Sequence, residues 1–274
     1  MPRMLQDMVV VITGASAGIG QALARELGVR GARLVLSARR GQRLEELNHA
    51  LGGSHLVVQA DVSRTQDCRM LIDRAVDRYG RIDTLVCNAG YGLYQSVAAT
   101  SPQQMRDIFA TNFFGTTDCI HFAVPVMRRQ SVRDGYRGQV MIVSSSVARR
   151  AIVFMGAYCA TKAAQLSIAE ALRVELMPCR IAVTSVHPIQ TGTEFGRVAE
   201  AAGHIRLPSS PVRQPVELVA RKMLRAIERP VAELWPFAAA GWAFGLATLL
   251  PGLVDRMIGK YRETVLRHNP DMPF

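Results

Sequence analysis

Tyr158 and Lys162 stand four residues apart in the stretch Gly156-Ala157-Tyr158-Cys159-Ala160-Thr161-Lys162. This places a phenol and an ammonium at a spacing that can do acid–base chemistry. The surrounding pattern predicts a helix from Ala157 to Met177, on which residues i and i+4 share a face about 5–6 Å apart between Cβ atoms. An unperturbed tyrosine, with a pKa of about 10, is a poor proton donor or acceptor at neutral pH. A cation beside it stabilises the phenolate and draws that pKa toward the working range. The same spacing also arises when two polar residues are merely solvated on a helix face. The pair takes its meaning from the elements that position it.

Met8 to Ile12 is a short apolar, β-branched run, the pattern of a strand buried on both faces. Thr13-Gly14-Ala15-Ser16-Ala17-Gly18-Ile19-Gly20 follows, and a helix is predicted from Gln21 to Arg30. A glycine-rich turn between a buried strand and a helix start is a phosphate site, because backbone N–H groups and the helix dipole face the anion. The second strand, Arg33 to Ser37, ends at Ala38-Arg39-Arg40. An acidic residue near there would hold ribose hydroxyls, whereas arginine accommodates a 2′-phosphate. Two arginines and no acid favour NADP(H) over NAD(H); two solvated arginines ahead of a helix over Gln42 to Leu51 are the alternative.

Strands are also predicted over His55 to Ala60, Ile82 to Cys87, Gln139 to Val143 and Ile181 to Val186. They end in Asp61-Val62, Asn88-Ala89-Gly90, Ser144-Ser145-Ser146 and His187-Pro188 respectively. A helix is predicted from Thr65 to Tyr79, and a long one from Pro102 to Arg129 with Asn112 amid Ile108, Phe109, Phe113 and Phe114. A mid-helix asparagine can divert a backbone hydrogen bond and bend the helix, or be a satisfied core amide. Strand and helix alternate throughout, so the sheet should be parallel with right-handed crossovers. Ligands bind outside the carboxyl ends of such strands. Gly14, Arg39, Asp61, Asn88, Ser145 and Pro188 all follow strand ends and converge on that edge.

Composition narrows the classes. At 274 residues the chain fits one large α/β domain, and its 49% apolar content excludes a disordered chain. The net charge of +11 is carried by arginine, the only lysines being Lys162, Lys222 and Lys260. No basic run interleaved with aromatics appears, which argues against nucleic acid. Cys68, Cys87, Cys119, Cys159 and Cys179 form an odd set without metal-ligand spacing. Free thiols in a reducing compartment, and hence a cytoplasmic protein with no metal, are the expectation. No signal peptide is expected ahead of the strand that begins at Met8. There is no Gly-x-Ser-x-Gly elbow, which sets aside a serine hydrolase.

Taken in order, Thr13-Gly14-x-x-x-Gly18-x-Gly20, Asp61, Asn88-Ala89-Gly90, Asn112, Ser145 and Tyr158-x-x-x-Lys162 resemble the short-chain dehydrogenase/reductase family over roughly Met8 to Trp235. The resemblance implies a Rossmann-type, doubly wound, three-layer αβα fold and a homo-oligomer, dimer or tetramer. It implies that Tyr158 is the acid/base and that Ser145, thirteen positions earlier, binds the substrate oxygen. Lys162 would hold the nicotinamide ribose and depress the Tyr158 pKa, and Asn112 would anchor a water leading protons away through Lys162. The cofactor would be held by Gly14, Ser16, Gly18, Ile19 and Gly20 in the turn, by Arg39, Arg40, Asp61, Val62, Asn88, Ala89 and Gly90, and by Tyr158, Lys162, Pro188 and Thr193. One segment departs from the family's Pro-Gly-x-Val/Ile-x-Thr: it reads Pro188-Ile189-Gln190-Thr191-Gly192-Thr193. A β-branched residue resists the positive φ that glycine permits, so the backbone at Ile189 must avoid that region or be strained.

The implied reaction is NADP(H)-dependent interconversion of a secondary alcohol and a ketone or aldehyde. Phe154, Met155, Phe195 and the loop Thr191 to Val212 suggest an apolar guest. A non-catalytic NADP(H)-binding scaffold or redox sensor is the rival, though a scaffold has no need of Tyr158. Residues 1–235 are read as the catalytic domain and 236–274 as an apolar and basic helical extension. Pro236 to Val254 carries no charge and is too short for a span of about 20 apolar residues unless both prolines are included. Two covers are open to it: a membrane surface, with Trp235 and Trp242 at headgroup level and Arg256, Lys260 and Arg262 toward anionic lipid, or the substrate mouth or a second subunit.

Overall fold

Every long strand is apolar on both sides, and this fixes the layering. The computed structural model describes residues 2–208 and 213–270. Seven strands form one parallel sheet in the order β3-β2-β1-β4-β5-β6-β7. They are β1 (Val9–Thr13), β2 (Arg33–Ala38), β3 (Leu56–Gln59), β4 (Thr84–Cys87), β5 (Gly138–Val143), β6 (Ile181–Val186) and β7 (Glu233–Leu234). Val10, Ile12, Leu34, Leu36, Met141 and Val186 pack on one face against α1 (Gly18–Gly28), α2 (Gly41–Ala50) and α8 (Val216–Glu228). Val11, Val35, Leu85, Val140, Ile142 and Val183 pack on the other. That face is covered by α3 (Thr65–Tyr79), α5 (Gly115–Arg129) and α6 (Gly156–Glu175). The expected three-layer, doubly wound arrangement is what forms.

The predicted long helix is interrupted. It runs as α4 (Pro102–Phe109), a π-helical turn over Ala110–Phe114, and then α5. Ser101 caps α4, accepting from Gln104 N while Gln104 Oε1 accepts from Ser101 N, with Pro102 at the first position. Asn112 lies at the centre of the wide turn, fully buried. Gly115 follows it, at a position where a Cβ would meet Val62 O at 2.6 Å. Beyond β6 come α7 (Phe195–Gly203), α8 and β7, then α9 (Ala238–Leu249) and α10 (Pro251–His268). Leu250 and Pro251 break the last two, which meet at 113°.

The sheet reverses its direction of travel between β1 and β4, and Thr13 ties that point. Its hydroxyl donates to Val86 O (3.3 Å) and accepts from Asn88 N and Ala89 N, each at 3.0 Å. Thr13→Val keeps the shape and leaves two backbone donors without a partner. It should lower unfolding free energy by about 2 kcal/mol, read from urea denaturation monitored by far-UV circular dichroism.

Candidate active site

The turn after β1 is compressed against the end of β4. Gly14 has φ +67°, and a Cβ on it would lie 2.9 Å from both Ala89 Cα and Asn88 Nδ2. A Cβ at Gly20 would come within 2.6 Å of Gly14 O. Asn88 Nδ2 donates to Thr13 O (3.0 Å) and Gly14 O (3.2 Å), pinning the turn from below. The N-terminus of α1 carries no side-chain cap, and Ser16, Gly18 and Ile19 line the cleft. Uncapped helix amides beside side-chain-free backbone are a cradle that fits a dinucleotide's pyrophosphate. Asp61, Val62, Asn88, Ala89 and Gly90 border the same cleft, with Arg39 and Arg40 at its outer end.

On the other side of the cleft, β5 leads into Ser144, Ser145 and Ser146, and α6 brings up Tyr158 and Lys162. The Lys162 ammonium is buried and donates to Val143 O (2.8 Å) and Gln165 Oε1 (2.9 Å). It lies 5.6 Å from the centroid of the Tyr158 ring. Burial pulls Lys162 down to about 7 from its ordinary 10.5. Burial also raises the Tyr158 phenol, and the Ser145 side chain opposes that shift. The expected lowering of the tyrosine by the lysine therefore does not appear; burial raises the phenol instead. The ammonium aims its protons at a carbonyl and an amide rather than at the phenol, and desolvation acts on both groups.

Asn112 holds the opposite wall. Its Oδ1 accepts from Tyr91 N (3.0 Å), and its Nδ2 donates to Tyr91 O (2.9 Å) and Thr161 Oγ1 (3.1 Å). Its carbonyl, at the wide turn, accepts from Gln165 Nε2 (2.6 Å) and Thr116 Oγ1 (2.9 Å). Both readings of Asn112 thus meet: the amide is satisfied, and the backbone bond is diverted. Pro188 O accepts from Ser146 N at 3.1 Å. Ile189 is not among the residues with positive φ, so the backbone avoids the region that glycine would have opened.

The short chain dehydrogenase family matches this chain over residues 8–202. The chain belongs to that family. An oxidoreductase relative from Arabidopsis thaliana, 11-beta-hydroxysteroid dehydrogenase-like 3, is 34% identical, the match covering 90% of this chain and 79% of the relative. A short chain dehydrogenase/reductase from Burkholderia phymatum, solved with NAD, superposes with a TM-score of 0.80 at 21% identity, covering 91% of this chain and 96% of that one. An alcohol dehydrogenase from Thermococcus sibiricus, solved with 5-hydroxy-NADP, superposes at 0.71 with 26% identity, covering 83% and 95%.

In this short-chain dehydrogenase the cleft continues past Tyr158 and Ser145, and the whole cavity, glycine turn included, measures about 1830 Å³. Met155 and Phe195 line it, and the Phe195 ring stands edge-on to Tyr158 at 5.2 Å. Phe154 does not line it: at φ +63° it turns into a cluster with Tyr94, Ala199, Ile205 and Val265. Of the loop expected over Thr191 to Val212, residues 209–212 lie outside the described residues. Phe244, Leu253, Ile258 and Tyr261 of α9 and α10 close the far end. An ion pair from Arg150 to Asp255 fastens α10 to the loop after β5. Trp235 faces inward, stacked on His187 at 4.4 Å and donating to Glu233 Oε2 (3.0 Å), so it is not free for a lipid headgroup.

The dehydrogenase also uses residues that the sequence reading passed over. Gln165 joins Lys162 to the Asn112 carbonyl; a polar residue at the same helical face as Tyr158 and Lys162, seven and three positions on, was its signal. Glu194 acts across a long sequence separation and left no local trace, and Thr13, though it heads the glycine motif, gave no sign of its partners at Asn88 and Ala89. The lysine's displacement has a thermodynamic sign. Between about 7 and 10.5 the native state binds fewer protons at Lys162 than the unfolded state, so stability rises with pH there. Urea melts of the cofactor-free protein between about pH 7 and 9 should show wild type gaining stability relative to Lys162→Met, in which the slope due to this group is absent.

Proposed function

We propose that this dehydrogenase interconverts a secondary alcohol and its ketone, or an aldehyde, on a lipophilic, steroid-sized substrate, using NADP(H). The observation that carries this is the unbroken cavity running from the glycine turn past Tyr158 to an apolar end between α9 and α10. When bound, the nicotinamide supplies or accepts the hydride. In the reducing direction the Tyr158 hydroxyl gives its proton to the carbonyl oxygen, and the Ser145 hydroxyl donates a hydrogen bond to that oxygen. Lys162, positioned by Val143 O and Gln165, favours the phenolate left behind. Asn112 keeps Tyr91 and Gln165 in place. Gly14, Gly18, Gly20 and Asn88 hold the pyrophosphate side, and Thr193, whose Cγ2 faces Gly18, lies at the nicotinamide side.

NADP(H) is favoured because the end of β2 carries Arg39 and Arg40 with no acid. Among the described residues the Arg39 side chain has no ion-pair partner, leaving it to fork onto a 2′-phosphate. A steroid-like guest accords with the apolar chamber and with the names of the relatives. Tyr158→Phe should cut the rate constant for a hydrophobic ketone at least about 100-fold, with NADPH binding nearly kept and NADPH preferred to NADH. Undiminished turnover would falsify the assignment of the acid/base.

Residues 1–235 form the catalytic unit in this reading, and 236–274 seat it on the cytoplasmic face of a membrane while the protein assembles as a homo-oligomer. No single described helix is long and apolar enough to cross a membrane. The inward faces of α9 and α10 close the cavity, while Trp242 (79% exposed) and Leu249 (73%) face outward. Arg256, Lys260 and Arg262 lie exposed on α10, suited to anionic headgroups at about 1 kcal/mol each. A lipophilic substrate then reaches Tyr158 without crossing water. The wild type should sediment with anionic liposomes and lose this in high salt. A Trp242→Glu, Leu249→Glu double variant should stay in solution with its melting temperature unchanged.

A further inference from the structure

Glu194 occupies the arginines at the cofactor's outer end. One carboxylate oxygen lies 2.8 Å from Arg40 NH1 and the other 2.8 Å from Arg43 NH1. Arg40 also donates from Nε to Ser16 Oγ at 3.2 Å, which ties the arrangement to the glycine turn. The carboxylate comes from the far side of the cleft, 151 residues beyond Arg43, at the residue just before α7. Two guanidinium groups converging on one small oxyanion at a glycine turn is the geometry a phosphate would meet.

We propose that Glu194 is an internal competitor for the cofactor's 2′-phosphate, holding Arg40 and Arg43 until a phosphate replaces it. This rests on the reading that the cofactor is NADP(H). The two guanidinium groups hold the carboxyl down to about 2, so it stays charged throughout the neutral range and its own titration does not gate the exchange. The pairs are breakable: the Arg40, Arg43 and Glu194 side chains are 45%, 44% and 33% exposed, so water and salt weaken the contact. A phosphate with nearly two charges and three acceptor oxygens outcompetes a single carboxylate for the same donors. A 2′-hydroxyl carries no charge and does not. Glu194 therefore lowers affinity for the phosphorylated cofactor without touching the pyrophosphate cradle, which speeds its release.

The competition also reaches the substrate side. Thr193 Oγ1 accepts from Phe195 N at 3.2 Å, and the Phe195 ring packs on Tyr158. The strap that grips Arg40 and Arg43 is continuous with the ring beside the phenol. Exchange of carboxylate for phosphate releases the start of α7 from the adenosine end of the cleft.

Calorimetric titration of wild type and Glu194→Gln with 2′,5′-ADP and with 5′-AMP tests this without catalysis. The variant should bind 2′,5′-ADP about three- to tenfold more tightly and 5′-AMP unchanged, because two exposed ion pairs are removed from the competing state. Hydrogen exchange at the first turn of α7 should be faster in the ligand-free variant. Equal 2′,5′-ADP affinity in the two proteins overturns the proposal, as does an equal gain for 5′-AMP. Wild-type titrations with NADPH and NADH separate the two claims. A preference for NADH sinks the cofactor reading, while the shift in 2′,5′-ADP affinity on Glu194→Gln alone decides whether the carboxylate competes.

Discussion

A buried ammonium cannot be left without acceptors, and much of this site is arranged around that constraint at Lys162. Desolvating a charge costs several kcal/mol unless hydrogen bonds compensate it. Two acceptors offset part of that cost here: Val143 O at the end of β5 and the Gln165 side chain one turn along α6. Gln165 then needs acceptors for its own amide and finds them in Asn112 O and Thr116 Oγ1. An α-helical Asn112 carbonyl would be committed to its own ladder. The π-helical turn over Ala110–Phe114 shifts that ladder, Gly115 N donating instead to Ala110 O. Ser144 closes the circuit by donating to Lys162 O at 2.9 Å. One buried charge thereby accounts for an irregular helix, a buried glutamine and the placement of β5 against α6.

The cofactor side rests on a different constraint, the close approach of backbone to backbone. Gly14 and Gly20 have no room for a Cβ, so the turn is built from main chain alone and presents N–H groups rather than side chains. Thr13 and Asn88 bind it to β1 and β4, the two strands between which the sheet reverses order. The cradle is rigid because its supports are themselves strand ends. The outer end, by contrast, is held by exposed ion pairs between Glu194 and Arg40 and Arg43, which are easily exchanged. Close-packed at the glycine turn and loose at the arginines proposed to meet a 2′-phosphate, the cleft would divide affinity from discrimination.

What could be read from the sequence follows the range of the physics involved. The strands were legible because burial on both faces writes a continuous apolar run; β6 matches its expected limits, and β2 and β5 differ by one residue. Tyr158 and Lys162 were legible because their relation is local to one helix. Asn112 announced a disturbance, though not its form, since the partner that captures its carbonyl lies 53 residues away. The partners of Glu194 and Thr13 lie 151 and 73 residues away or more, and no window contains both ends. Phe154 looks like a pocket residue by type, yet its positive φ sends it into the packing beneath. The direction of the tyrosine's shift was misjudged for a related reason. Proximity of a cation is visible in the spacing, whereas desolvation depends on everything that surrounds the pair.

The C-terminal helices show why two readings that compete in a sequence need not compete in space. A helix apolar on all sides has no preferred face, so its pattern cannot say which side meets protein. In α9 the side bearing Ala240, Ala243 and Phe244 borders the cavity, while Trp242 and Leu249 point away from it. Covering the substrate mouth uses one side and leaves the other without a partner among the described residues. Burying a large apolar side chain is worth about 1.5–3 kcal/mol, and Trp242 and Leu249 each forgo most of that while they face water. The inner contacts stabilise the roof of the chamber; the outer surface is the part that the proposed membrane contact would cover. The 113° bend lets α9 keep its inner contacts while α10 runs back over Tyr94 and Ile205, where Val265 is fully buried. A roof built in this way can be thin, because the apolar environment proposed for its outer side would be the source of the substrate.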